Sequence, residues 1–145
     1  KRTVAVAWCA YSHVTQLRSW LPDAVGGVCW LSVDNPGQSP RIPVFCGTTV
    51  LPEPFWTCGQ NQYSEDCALW TFRRANKLAT LSWQSTKEGF NKEVLRIEDL
   101  AFEGLPGAAV SSSALNAYTA YIYNEAARTW KALEDKYWMQ FGMGF

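Results

Sequence analysis

Three short apolar stretches crowd the first third of the chain, each closed by a turn signal, and after about Asp66 the apolar residues switch to helical spacing. That change of period restricts the fold more than any other feature of the sequence. Strands first and helices second, within 145 residues, specify an α+β arrangement in one domain with helices laid on one side of a small sheet.

The first stretch, Thr3 to Ala10, has apolar residues on both faces and predicts a central strand. Ser12 and His13 follow it, then Val14 to Leu17, and Leu21-Pro22 with Gly26-Gly27 marks a turn. Val28 to Val33 reads as a second strand, stopped by Asp34-Asn35-Pro36-Gly37, where Asn and Asp bond their own backbone and Pro blocks continuation. Arg41 to Cys46 is the third, and Pro43, which lacks an amide hydrogen, places it at an edge or a bulge.

Thr48 to Tyr63, with Pro52, Pro54 and Gly59, is a long loop. Ser64 then offers an N-cap oxygen to a helix whose buried face is Ala68, Phe72, Ala75, Ala79 and Trp83, with Arg73, Asn76, Lys77 and Thr80 on other faces. Gly89 predicts a break or bend before Phe90, Val94, Ile97 and Ala101 resume the spacing. Ser111 to Ser113 can cap the last helix, whose stripe runs Tyr118, Ile122, Ala126, Trp130, Leu133, Tyr137 and reads as core. Three strands make a small sheet for this much apolar surface, which implies that part of the fold lies outside the sequence.

Thirteen basic residues balance thirteen acidic ones, so neither nucleic acid nor an anionic membrane is captured by charge. No apolar run is long enough to span a bilayer, and Lys1-Arg2-Thr3-Val4 is no signal peptide. Eight tryptophans and an aromatic content of 14% fill a core or cover an interface with another polypeptide. The five cysteines are an odd number, so one thiol stays free or pairs outside the chain; Cys58 and Cys67 flank a polar loop and can be joined in an oxidising compartment. No C-x-x-C spacing supports a metal site, and no motif calls for a cofactor.

The sequence has no G-x-S-x-G, no Walker-type loop, no G-x-G-x-x-G and no H-E-x-x-H. The candidates that remain are Ser12 and His13, the latter the one histidine of the chain, and Asp34 with Asn35 at a strand end where side chains often reach a site. Arg18 and Arg41 are able to clamp a carboxylate. Cys9 and Cys29 lie in apolar stretches, where a reactive thiolate is disfavoured.

The order of motifs resembles a known family. Ser12-His13-Val14 with Gln16-Leu17-Arg18, then Gly26-Gly27-Val28-Cys29-Trp30, then Ile42-Pro43-Val44-Phe45-Cys46-Gly47 with Pro52-Glu53-Pro54, then Ala68-Leu69-Trp70-Thr71-Phe72-Arg73-Arg74-Ala75-Asn76, and late Thr129 to Leu133 are similar to the C-terminal part of the PepD-like dipeptidases, relatives of secernin among the N-terminal-nucleophile hydrolases. Tyr11 stands where an acidic residue is expected, and Cys46 where an aromatic is. The resemblance implies a four-layer αββα sandwich and hydrolysis of dipeptides by a cysteine that begins the mature chain.

Residue 1 here is Lys, so the expectation is a C-terminal portion or subunit, 1–145, whose partner is the N-terminal chain of the same precursor carrying the nucleophilic Cys. Such processing into a heterodimer fits a secretory or lysosome-like compartment. Ser12 and His13 are then expected near the cleft as catalytic residues that position substrate and polarise groups, and Asp34 and Asn35 as substrate-binding residues. The alternative is a non-catalytic scaffold or binding subunit derived from the same fold.

Overall fold

The computed structural model describes residues 4–143. Its elements in order are β1 (Tyr11–Leu17), a short α1 (Asp23–Gly26), β2 (Gly27–Val33), β3 (Ile42–Phe45), a 3-10 turn at Glu53–Phe55, α2 (Ala68–Ala79), α3 (Trp83–Glu103) and α4 (Ser112–Gly142). The α+β reading with strands in the first third and helices after it is what the chain adopts.

The three strands form an antiparallel sheet in the order β1-β2-β3. In register, Tyr11 pairs with Val33, His13 with Leu31 and Leu17 with Gly27, while Val28 pairs with Phe45 and Leu31 with Ile42. Side chains alternate faces along a strand, so the sheet has two distinct sides. One carries Val28, Trp30, Ser32 and Phe45, all buried. Trp30 stacks on Phe102 of α3 at 4.4 Å, and Phe45 meets Tyr118 of α4 at 6.1 Å. The other carries His13, Thr15, Leu17, Cys29, Leu31 and Val44, all exposed or half-buried, with Leu17 77% exposed. Among the described residues nothing is packed over the middle of that side; Val33 and Ile42 at one end and Gly27 at the other are buried.

The first strand departs from expectation. Val4 to Ala10 forms bends and turns, with Trp8 65% exposed, and Thr3 lies outside the described residues. Ala5, Ala7 and Ala10 bring little side-chain area to a pleated surface, whereas Tyr11, Val14 and Thr15 fit one. The strand therefore forms later in the sequence and sits at an edge, leaving β2 in the centre. β3 is the opposite edge, as Pro43 requires; its carbonyl accepts from Thr119 Oγ1 at 2.8 Å.

The expected helices are present with altered ends. α2 begins after Cys67 rather than at Ser64, without a side-chain cap, and stops at Ala79, so Trp83 opens α3. α3 runs unbroken through Gly89; a Cβ there would collide with the Tyr137 hydroxyl, so glycine lets α4 approach closely. Ser111 caps α4 as expected, its Oγ accepting from the Ala114 amide at 3.1 Å. Phe72, Phe90, Trp130 and Tyr137 form a run of ring contacts 5.4 to 6.0 Å apart between α2, α3 and α4. Full burial of Phe72 and Phe90 stabilises the fold by about 1.5–3 kcal/mol each.

Candidate functional site

At the end of the sheet where β1 starts and β2 stops, the turn after Val33 brings a carboxylate inside. Asp34 is fully buried and has φ +68°, a left-handed conformation that Asp tolerates better than most residues. Its amide donates to the Ala10 carbonyl at 2.8 Å, tying the entering chain to the turn. Its oxygens accept from Arg73 Nε at 2.7 Å and Asn76 Nδ2 at 2.9 Å.

The network extends on both sides. Arg73 Nη2 donates to the Cys9 carbonyl at 3.1 Å. Asn76 Nδ2 also donates to Ser39 Oγ at 2.8 Å, and Asn76 Oδ1 accepts from Trp130 Nε1 at 2.9 Å. Ser32 Oγ donates to the Ser39 carbonyl at 3.1 Å. One charge at a strand end thus links β2, the turn, α2 and α4. A carboxylate taken out of water needs such partners, because an unpaired one costs several kcal/mol.

Asn35, also buried, organises the turn itself. Its Oδ1 accepts from the Gly37 amide at 3.0 Å, its Nδ2 donates to Gln38 Oε1, and its carbonyl accepts from the amides of Gln38 and Ser39, each at 3.0 Å. Asp34 and Asn35 are therefore brought together, with their side-chain groups already engaged by the protein.

Ser12 and His13 lie in β1 and, as neighbours in a strand, point to opposite faces. Ser12 pairs across from Ser32 on the helix-facing side. His13 stands exposed on the bare side across from Leu31, two residues from Tyr11. Beside Tyr11 and Val33 opens a cleft of about 360 Å³ walled by Phe55, Trp56, Cys58, Gly59, Cys67 and Leu69 among others.

The two candidate carboxylate clamps are otherwise employed. Arg41 pairs with Glu98 at 2.9 Å. Arg18 is buried and donates to the carbonyls of Pro106 and Val25, with its Nε unpartnered. All five cysteines are free thiols. The Cys29 thiol is pushed above its ordinary value by burial, with nearby Cys46 adding to the effect, which disfavours a thiolate there. Among the described residues no cluster of His, Cys, Asp or Glu is placed to hold a metal ion. No described helix is long and apolar enough to cross a membrane.

Arg73 and Asn76 are the site residues that helical spacing hid, since it assigned them to faces away from the core. The available signal was Asn76: asparagine is a poor choice for the middle of a helix unless its amide has a specific partner. Three positions from Arg73, it lies on the same face and reaches the same carboxylate.

Taken alone, the architecture defines a one-sided α+β layer with a charged, ordered turn at the sheet's end. The profile of peptidase family C69 matches residues 1–95, and the chain belongs to that family. It is 26% identical over 135 residues, 86% of its length, to a "Probable dipeptidase" of Latilactobacillus sakei. It is 30% identical over 67 residues, 46% of its length, to a "Probable dipeptidase B" of Streptococcus pyogenes serotype M1. The matched regions span 28% of the first relative and 13% of the second, so the chain corresponds to a fraction of either protein.

Proposed function

We propose that this chain supplies the C-terminal part of a dipeptide-cleaving amidohydrolase of the N-terminal-nucleophile type, with the nucleophilic cysteine on a preceding segment of the same precursor. The observation that carries the reading is the bare side of the sheet. A sheet with helices on one side and His13, Leu17, Leu31 and Val44 open on the other is half of a sandwich. A second sheet packing about 10 Å away would bury that side and complete the four layers. The family membership and the names of both relatives support hydrolysis of dipeptides, and the short fraction of each relative that is matched leaves room for the remaining layers.

In this reading a cysteine thiolate attacks the scissile carbonyl, the amine leaves, and water hydrolyses the thioester. His13, presented on the side that the second sheet would cover, contacts substrate or the reacting groups. Ser12, on the other face, helps set the strand that carries it. Asp34 and Asn35 bound the substrate cleft by fixing the turn beside it, and Arg73, ion-paired to Asp34, ties that turn to α2.

The test is the intact protein from its native source. N-terminal sequencing and intact mass are expected to reveal a Cys-starting segment or companion chain, and dipeptide hydrolysis is expected to be abolished by a thiol alkylator. Absence of any Cys-starting species, together with no turnover over a broad amide panel, would sink the proposal and leave the scaffold reading.

A further inference from the structure

The cleft beside Tyr11 contains two thiols that the proposed chemistry does not use, and they stand at the two ends of one loop. Cys58 is exposed, Cys67 is buried immediately before α2, and both line the cleft wall. The loop between them is fixed to α2 at its edges. Trp70 Nε1 donates to the Gly59 carbonyl at 2.7 Å, and Arg74 Nη1 donates to the Tyr63 hydroxyl at 2.9 Å, with the guanidinium over the Tyr63 ring. Gln60, Asn61 and Gln62 between those anchors are exposed.

Gly59 reports how close the two sulfur-bearing residues are. A Cβ at that position would stand 2.6 Å from Cys67 Sγ and 2.7 Å from Trp70 Cδ1, so the backbone beside Cys58 lies directly on the Cys67 sulfur. One bond to Cα and one Cα step along the chain then put Cys58 Cα no more than about 8 Å from that sulfur. Movement of Cys58 and the exposed loop residues toward that sulfur closes the remaining gap to disulfide geometry, in which the Cα atoms stand about 5.5–6 Å apart.

We propose that Cys58 and Cys67 are a reversible thiol pair whose disulfide clamps the 58–67 loop across the mouth of this cleft. The oxidant is a small-molecule disulfide of the glutathione type. The Cys58 thiolate, on the accessible side, attacks one sulfur of that disulfide and releases one molecule of reduced thiol. Cys67 then attacks the Cys58 sulfur of the mixed disulfide, forming the Sγ–Sγ bond and releasing the second. The two cysteine protons are taken up by the departing thiolates, the protein is oxidised by two electrons, and the small disulfide is reduced by two. A side chain at position 59 would occupy the space of the Cys67 sulfur.

This inference does not depend on the amidohydrolase reading. The intact protein, purified under reductant, is equilibrated with graded ratios of oxidised to reduced glutathione and mapped by non-reducing proteolysis and mass spectrometry. The expected dominant product is the Cys58–Cys67 cross-linked peptide, with a loss of two hydrogens from the intact mass, reversed by dithiothreitol. Cleavage at 60–62 by a broad-specificity protease is expected to slow at least tenfold on oxidation in the native sequence and not in Cys58→Ser, an exposed change that spares the core. Cys67→Ala is expected to stop at glutathione on Cys58. Persistent glutathione on Cys58 in the native sequence, a link from Cys58 to Cys9, Cys29 or Cys46, or unchanged cleavage on oxidation overturns the proposal.

Discussion

Replacing Asp34 with alanine tests whether the carboxylate at the end of β2 holds this part of the fold together. The side chain is fully buried and accepts from Arg73 and Asn76. Hydrogen bonds that involve a charged group contribute about 1.5–3 kcal/mol each. Arg73 retains a fifth of its side chain in water and its bond to Cys9, so its share is discounted for solvent screening. Asn76 Nδ2 keeps Ser39, which softens its loss as well. About 2–3 kcal/mol is therefore expected from the lost contacts. A further 1 kcal/mol or so arises because alanine resists φ +68°. The total for Asp34→Ala is about 3–4 kcal/mol, measured by urea unfolding of the intact protein.

Two companion variants separate the terms. Asp34→Gly loses the same contacts without the side-chain clash of the left-handed backbone, and is expected to be about 1 kcal/mol more stable than Asp34→Ala. Asp34→Asn tolerates the backbone but turns one acceptor into a donor facing Arg73 or Asn76, so it is expected to lie close to Asp34→Gly. Asp34→Ala within 1 kcal/mol of the native sequence, or equal to Asp34→Gly, would refute the reasoning.

Gly89→Ala is expected to destabilise by about 1–3 kcal/mol through overpacking against Tyr137, although alanine favours a helix; a gain in thermal midpoint would show that Tyr137 yields freely. Trp130→Phe leaves Asn76 Oδ1 without its donor in a buried setting and is expected to cost about 1–3 kcal/mol beyond the loss of ring area, read from chemical denaturation. His13→Ala, at an exposed position, is expected to change stability by less than about 0.5 kcal/mol, while kcat/KM for a dipeptide falls on the order of 10²-fold; unchanged turnover removes His13 from the site. Iodoacetamide is expected to label exposed Cys58 well before Cys29 at neutral pH, with the Cys29 rate still climbing at pH values where an ordinary thiol has levelled off, because burial holds its proton; equal rates in a time-resolved mass analysis would contradict that order.

Much of this was legible in the residues. Pro43 announced an edge strand, Asp34-Asn35-Pro36-Gly37 a turn, Ser111 a cap, and the Tyr118 to Tyr137 stripe a core, because each depends on local chemistry or on one period. The first strand starts later than its apolar stretch implies, because apolar character on both faces does not by itself mean burial, and small side chains at Ala5, Ala7 and Ala10 offer little to bury. That α3 continues through Gly89 has a related reason: intrinsic propensity describes the helix alone, and the group that needs glycine there, Tyr137, comes from another helix. The Asp34 network could not be read at all from spacing, since its members come from a turn, two helices and a loop, and only the fold assembles them. Ser12 and His13 are neighbours in the sequence, but the strand that contains them sends their side chains to opposite faces.

The bond from Trp130 to Asn76, and from Asn76 to Asp34, bears on how natural variants of such a protein are interpreted. A missense change in the middle of α4 that narrows the Trp130 indole would be scored as harmless by its distance along the chain from every residue near the cleft. Yet it would unsettle the turn at the sheet's end as surely as a change at Asp34, and second-site changes restoring one should restore the other. Patterns of compensating substitution between α4 and the β2–β3 turn are therefore the trace this contact should leave in populations.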